Sequence, residues 1–507
     1  MQAKAEAAPT PTKERGGALL RLFQHTSNYS VGTLLTALAS MISFPIFTRV
    51  FSVAEYGVLG LVNVTLGFLV GIGKLGLQQS IVRLYAEIEG GNKHSGDKVG
   101  LFSTVLFSMV AIGSIIAVFS ALLFLSLPSD WWNHTGAQYL IALAAPLVFI
   151  RVVDSAMLNL LRAEQKSGLY SMFMVVRKYL GLAVVLLVIF FIARNLYGFF
   201  IGTMTAEALA LVFILAYYAR SHVFNIRRVS RPLFMAMLTF GLPLLAGELS
   251  FYLLNLGGRY IINYQLGPQP LGSYSAAYNF SDYLQGVLTA SFAQAVVPMY
   301  LRMWEQQGQE KTVIFLEQSL RYYLMLSLPI LAGMASVGPE LLRLLASDKY
   351  EVNASLLVLI IAGMLVAGGT PIFSAGIYIN KLTKIVMYSV LAAAALNLSL
   401  TAILTHAFGI EGAAIATLAS LLFYTACTAW FGRRTVKVRM PWSAFIKYAS
   451  VSLLMYALVS LIHTEELALR IFLQIAAGAA IYGVLLLVID PPLRQLIVRA
   501  LRNLPGT

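Results

Sequence analysis

From Asn28 to the C-terminus, blocks of about twenty or more mostly apolar residues alternate with short polar breaks. That length is what a helix needs to cross a hydrocarbon core of ~30 Å. The pattern predicts fourteen membrane helices, among them 57–78, 138–161, 232–263, 271–299, 313–346, 352–379, 385–405 and 411–432. No polar stretch between them is long enough for a soluble domain. The first 27 residues carry Pro, Ala, Lys and Glu but no apolar core followed by a cleavage site, so they read as a short cytoplasmic tail. The expected fold is an all-α polytopic membrane protein.

The polar breaks repeat. "FSVAEYGVLGLVNVT" around residue 51 and "LGPQPLGSYSAAYNFS" around 266 both end a long helix, turn in a short loop and begin a Gly-led helix, with Gly57 and Gly272 set 215 residues apart. "LLRAEQKSGLYSMF" and "GIYINKLTKIVMYSV" pair Lys166 with Lys384 at 218. Six helices separate the copies, an even number, so the copies share one orientation, as in transporters with two parallel lobes. The expected organisation is a cytoplasmic tail (1–27), an N-terminal six-helix lobe (28–220), a cytoplasmic linker (221–231) and a pseudo-symmetric C-terminal six-helix lobe (232–432). An appended pair of helices, 13 and 14 (442–490), and a cytoplasmic tail (491–507) follow.

Composition sharpens this picture. The 507 residues are 59% hydrophobic and 11% charged, with a mean hydropathy of +0.77, far from the roughly quarter-charged make-up of soluble domains. The net charge of +14 is dispersed in small clusters, which argues against a nucleic-acid partner. One set of connections holds Arg83, Lys93, Lys98, Lys166, Arg227, Arg228, Lys381, Lys384, Arg433 and Arg434 among others, while the alternate set holds only Arg194 and Lys349. That asymmetry puts both termini in the cytoplasm. The short outer loop "LPSDWWNHTG" offers Trp131 and Trp132 to the interface belt. With a single cysteine, Cys427, a disulfide framework or Cys-based metal site is excluded on count.

Candidate chemistry lies in polar stripes on apolar helices. Gly60, Asn63, Gly67, Gly71, Lys74 and Gln78 share one helical face; Glu248, Tyr252, Asn255 and Arg259 share another, and Ser275, Tyr278, Asp282, Gln285 and Thr289 a third. Small residues on these stripes suit helix packing. The ionisable ones are different, since a charge at membrane depth costs roughly 2.5–3.5 kcal/mol on insertion scales and by default faces a cavity or a partner. Arg151 and Asp154, Arg177 and Lys178, and Glu207 join this set. Arg151 and Asp154 are three apart and could form a local ion pair. Arg177 and Lys178 point different ways, so at most one should line a cavity. Arg83 and Arg162 sit where snorkelling to the inner surface accounts for them. A water-filled cavity shared by the two lobes is the economical expectation, with hinges at Pro45, Pro146, Pro243 and Pro371.

The stretch "FTRVFSVAEYGVLGLVNVTLGFLVGIGKLGLQQSIVRLYAE" closely resembles the start of bacterial polysaccharide-export flippases, the polysaccharide transporter branch of the multidrug/oligosaccharidyl-lipid/polysaccharide exporter superfamily. The motif positions are Ser52, Glu55, Tyr56, Gly57, Gly76, Leu77, Ile81, Val82, Arg83 and Tyr85, and the "NKLTK" element near 380 fits as well. The resemblance implies a flippase of the bacterial cytoplasmic (inner) membrane. It would move an undecaprenyl-diphosphate-linked oligosaccharide to the outer leaflet by alternating access through a basic cavity, for O-antigen, capsule or exopolysaccharide synthesis. Lys74 and Arg259 suit phosphate or uronate oxygens; Asn63, Gln78, Tyr252, Asn255, Tyr278, Gln285, Arg151 and Arg177 complete the expected substrate surface. Asp154, Glu207, Glu248 and Asp282 could titrate or bind a cation if transport is coupled to H+ or Na+. No other cofactor, metal or enzymatic activity is expected. The implied partners are the lipid-linked glycan, membrane lipids, a polysaccharide polymerase and chain-length machinery. A cation-coupled drug antiporter of the same superfamily, or a membrane polymerase or ligase, are the competing readings.

Overall fold

The computed structural model describes residues 11–90, 97–128, 132, 136–221, 224–491 and 493–495. Lys93, Trp131, residues 1–10 and most of the C-terminal tail lie outside the described residues. Among the described residues there are helices and no strand: α1 (Pro11–Val50), α2 (Val53–Lys74), α3 (Leu77–Glu89), α4 (Lys98–Ser126), α5 (Ala137–Ala144), α6 (Pro146–Ala163), α7 (Ser167–Phe191) and α8 (Leu196–Ser221). After a short 3-10 turn come α9 (Arg231–Leu256), α10 (Gly258–Leu266), α11 (Pro268–Ala346), α12 (Ala354–Phe373), α13 (Ala375–Ile379), α14 (Thr383–Gly432), α15 (Trp442–Val459) and α16 (Leu467–Ile489).

The expected fourteen spans are not reproduced as fourteen separate helices. Among the described residues eleven helices are long and apolar enough to cross a membrane, or twelve if α5 and α6, bent by 44°, count as one broken span. The bend falls at Pro146, the first residue of α6, where a ring without an N–H interrupts the helical ladder. The difference arises at two glycines. The expected spans 271–299 and 313–346 run together in α11 with a break at Gly308, and 385–405 and 411–432 run together in α14 with a break at Gly409. Both glycines have positive φ, 79° and 60°, and turn the chain within one residue. Tyr300 packs in one cluster with Leu316 and Leu320, and Asn397 Nδ2 donates to Thr417 Oγ1 at 3.3 Å, so each long element folds back on itself.

Three further boundaries shift. The span expected at 57–78 begins at Val53 and ends at Lys74; a left-handed Leu75–Gly76 corner then starts α3, so Gln78 belongs to a different helix from Lys74. The spans expected at 232–263 and 352–379 are each divided, into α9 with α10 and α12 with α13. The helices after the two repeated loops begin at Val53 and Pro268, four residues before the glycines.

The chain forms two compact units. Unit 1 comprises residues 1–41, 66–126 and 139–245. In it α4 and α3 pack on α6, α6 on α8, and α7 on α8. Gly76, at φ 67°, lies against the Gly241 backbone so closely that a Cβ there would collide with the Gly241 carbonyl. Next to it Ser80 Oγ donates to the Met237 carbonyl at 2.8 Å. Apolar side chains of α4 such as Ile115, Phe119 and Leu122 point outward, as in a helix solvated by lipid.

Unit 2 comprises residues 42–65, 127–138 and 246–507. Here α11 packs on α12 and α15, α12 on α14, α10 on α14, and α15 on α16. The start of α2 is set by a capping box: Ser52 N and Oγ both donate to Glu55 Oε2 at 2.8 Å and Glu55 N donates back to Ser52 Oγ at 3.2 Å. Four residues on, the repeat-related glycines meet. A Cβ at Gly57 would strike the Pro268 carbonyl, and one at Gly272 would strike the Val53 carbonyl. Val53 and Pro268 stand 215 apart, as the glycines do, so each contact is the image of the other, which is how a two-fold crossing is built. α16 is anchored by Asp490, which accepts from Arg321 Nη2 at 2.7 Å and Tyr448 OH at 2.6 Å.

Candidate functional site

The polar residues of α6 follow helical periodicity. Arg151, Asp154, Ser155, Leu158, Asn159 and Arg162 lie on one face and line a cavity of ≈ 360 Å³ within unit 1. Val70 and Lys74 from α2, Gln78 from α3, Tyr170 and Arg177 from α7 and Glu207 from α8 close it. Four cations thus face two carboxylates.

Two of the cations are neutralised across helices. Arg151 makes a bidentate pair with Glu207, Nε to Oε2 and Nη2 to Oε1, both 2.9 Å; Arg177 Nη1 donates to Asp154 Oδ2. Planar guanidinium matches carboxylate in this way, and the pair ties α6 to α8 as the second ties α6 to α7. The local Arg151–Asp154 pair that their spacing allows does not form; each finds its partner on another helix. Arg177 lines the cavity and Lys178 does not.

The remaining two cations have no such partner. Among the described residues Lys74 makes no hydrogen bond or ion pair, and Arg162 has no carboxylate but places its guanidinium 4.5 Å from the Tyr170 ring centroid. Tyr29 stands edge-on to Tyr170 at 5.4 Å. Arg162 corrects the sequence reading, which left it to snorkel at the surface. Its eleven-residue spacing from Arg151, three helical turns, was the signal that joins it to the same face. Asn159 and Tyr170, which also line the cavity, were missed because neither is charged.

The other candidate residues fall in unit 2 and outside that cavity. Arg259 is buried, 5% exposed, with its guanidinium 5.1 Å from the Tyr278 ring centroid. Its Nη2 donates to Asn279 Oδ1 at 3.3 Å, and Asn279 Nδ2 donates to Tyr56 OH at 3.0 Å. Gly60 makes room beside it: a Cβ there would stand 3.0 Å from Ser275 Oγ and 3.5 Å from Arg259 Nη1. Tyr252 OH donates to the Val64 carbonyl at 3.1 Å, Asn63 Nδ2 to Leu59 at 3.0 Å, Asn255 Nδ2 to Phe251 at 2.8 Å and Gln285 Nε2 to Met364 at 3.4 Å. Glu248 and Asp282 are exposed. A second cavity in unit 2, lined by Glu340, Arg343, Glu351, Asn353 and Glu411 among others, contains none of the expected residues. Among the described residues no three His, Cys, Asp or Glu gather as a metal cage requires.

Residues 22–304 match the model of a family described as "Polysaccharide biosynthesis protein". The chain belongs to that family. No curated relative matches by sequence. The fold is similar to that of the lipid II flippase MurJ in an inward closed conformation, with a TM-score of 0.72 at 17% identity over 92% of this chain and 99% of that one. It is also similar to a multidrug resistance MATE family transporter of the MOP superfamily in an inward-facing conformation, with a TM-score of 0.60 at 16% identity over 82% and 93% of the two chains. The family member is thus a multi-pass membrane protein, helical throughout its described residues apart from the connecting turns, with a fold similar to those of the MurJ flippase and the MATE transporter.

Proposed function

We propose that this polysaccharide biosynthesis protein is a flippase. Its substrate is an oligosaccharide linked to undecaprenyl diphosphate, moved from the cytoplasmic to the outer leaflet of the bacterial inner membrane by alternating access. Both termini lie in the cytoplasm, and the product passes to a polysaccharide polymerase and its chain-length machinery. The observation that carries the reading is the charge arrangement of the unit 1 cavity: Arg151 and Arg177 are held by carboxylates, while Lys74 and Arg162 keep their donors for an anion. Lys74 is a compact point charge suited to a phosphate oxygen, and Arg162, stacked on Tyr170, presents a planar fork beside an aromatic face able to meet a sugar ring. The isoprenoid tail stays in the bilayer. Lys74 thus stands at membrane depth to receive a charged head group.

A drug antiporter is the nearest rival, because the fold is shared. A cationic drug needs an available carboxylate, and both carboxylates of this cavity are already engaged by arginines. Coupling to H+ or Na+ through Asp154, Glu207, Glu248 or Asp282 belongs to the same proposal; Asp154 and Glu207 would have to release Arg177 and Arg151 first.

The test is deletion of the gene in its native host, with assay of surface polysaccharide and of the lipid-linked intermediate. Loss of surface glycan with intermediate trapped on the cytoplasmic leaflet, restored by wild type and not by stably expressed Lys74→Gln, is the expected result. Normal glycan in the deletion strain shifts the weight to the antiporter, and unpolymerised intermediate on the outer leaflet points to a polymerase or ligase.

A further inference from the structure

The connection from α14 to α15, "RRTVKVRMP" at 433–441, has an order that a mere positive charge between two membrane helices does not need. Its residues alternate. Val436, Val438 and Met440 turn inward onto the cluster of Val296, Tyr300, Leu316 and Leu320, while Lys437 and Arg439 turn outward and are exposed. The backbone is held on both sides. Gln309 Nε2 donates to the Thr435 carbonyl at 2.9 Å, Arg439 N donates to Glu317 Oε1 at 3.0 Å, and Asn380 Nδ2 donates to Thr435 Oγ1. The two arginines are held as well: the Arg433 guanidinium lies 3.4 Å from the Trp430 ring centroid and that of Arg434 lies 5.7 Å from Phe431. Trp430 and Trp442, at the two ends of the connection, are 56% and 64% exposed, as tryptophans at a membrane interface are.

The cations of this ledge differ from four loop cations of unit 1. In unit 1, Arg83, Lys98, Lys166 and Arg228 each have a carboxylate, respectively Glu87, Glu89, Glu164 and Asp97, within 3.5 Å. Among the described residues Arg433, Arg434, Lys437 and Arg439 have none. An ordered row of four unneutralised cations, between two exposed tryptophans at helix ends, fits a surface of fixed phosphates at bilayer depth.

We propose that the 433–441 ledge is a docking surface for anionic phospholipid head groups, separate from the cavity of unit 1 and independent of what that cavity carries. The aromatic-stacked arginines supply the fork that a phosphodiester accepts, Lys437 and Arg439 supply further charge, and the tryptophans sit at head-group level.

The full chain, purified in detergent, is titrated with phosphatidylglycerol or with phosphatidylcholine, and bound lipid is counted by native mass spectrometry. Wild type should prefer phosphatidylglycerol. The variant carrying Arg433→Gln, Arg434→Gln, Lys437→Gln and Arg439→Gln should lose that preference about tenfold or more, since each cation near an anionic surface adds several-fold to binding. The variant Arg433→Lys with Arg434→Lys keeps every charge, and so the orientation signal, yet should bind phosphatidylglycerol more weakly than wild type because the stacked forks are gone. Removing four equivalent charges in unit 1, through Arg83→Gln, Lys98→Gln, Lys166→Gln and Arg228→Gln, should leave the preference within about twofold of wild type. The proposal is overturned if wild type shows no preference, if the ledge variant keeps it, or if the unit 1 variant loses as much as the ledge variant.

Discussion

Arg151 in unit 1 and Arg259 in unit 2 are both guanidinium groups on membrane helices, and the protein treats them in opposite ways. Arg151 opens onto a cavity and is answered by a carboxylate in two parallel hydrogen bonds. Arg259 is enclosed at a helix crossing, where an amide oxygen and an aromatic face replace the carboxylate. The comparison teaches that polarity on a membrane helix has two separate uses. A cavity keeps water near its charges and can pair or expose them, so their arrangement is available for a ligand. A packed crossing has no such solvent, so its cation is spread over dipoles and π density, and its task is to hold helices together.

The comparison can be broken first at the paired side. Asp154→Asn leaves Arg177 with a neutral partner in a largely buried position. Breaking a fully buried pair costs about 3–5 kcal/mol, and the 30% exposure of the Arg177 side chain brings the expected loss to the lower end, about 3 kcal/mol. Unfolding in detergent measures it, and adding Arg177→Met to Asp154→Asn should recover part of that loss. No recovery would mean that the charge pair is not what holds α6 to α7.

The second break removes the cations that lack partners. Lys74→Gln with Arg162→Gln should leave unfolding within about 1 kcal/mol of wild type, because no ion pair is lost. Export in a complemented deletion strain should nevertheless fall about a hundredfold, as expected when two charge-assisted contacts to an anion are lost. Equal losses of stability and export would make these residues structural.

Arg259→Lys tests the crossing with a smaller change. It keeps the charge and removes the fork and the stacked plane, so a loss of about 1 kcal/mol in stability is expected. A large gain of stability in Arg259→Met would show that the cation is tolerated there for function alone.

The smallest effect is expected at Asp490, just past α16. Burial pushes its carboxyl up, but hydrogen bonds from Tyr448, Arg321 and the Leu493 N–H together outweigh that and hold it below the ordinary 3.8. A depressed carboxyl contributes stability that is fully present above its unfolded value and is lost as pH falls through the lower folded value. The docking of α15 and α16 should therefore weaken only below about pH 4, and Asp490→Asn should abolish that dependence. Hydrogen exchange of α16 amides across pH 3–6 reads both.

Much of the architecture was legible beforehand. The apolar blocks set the helices, and the 215-residue offset paired Gly57 with Gly272 in sequence; that the two positions meet in space is a finding of the structure. The loop motif carried less chemistry than its resemblance suggests: Ser52 and Glu55 cap a helix, and Tyr56 receives a hydrogen bond from Asn279. The candidate site was half legible. Lys74, Arg151, Asp154, Arg177 and Glu207 were singled out by charge alone and do line one cavity. Arg162 was set aside because a cation near a helix end has an ordinary topological explanation. Asn63, Tyr252 and Asn255 were included because they share a face with charges, yet they bond to backbone carbonyls in unit 2.

The sequence by itself determined that this chain lives in a membrane as a bundle of helices, because hydropathy and the alternation of basic loops are properties of local stretches that no packing can reverse. It also determined which side chains are charged at membrane depth. Only the tertiary structure decided which of those charges are cancelled and which are available. Ion pairing acts over a few ångströms in space, and the partners of Arg151 and Arg177 lie 56 and 23 residues away in the chain, where no periodicity links them.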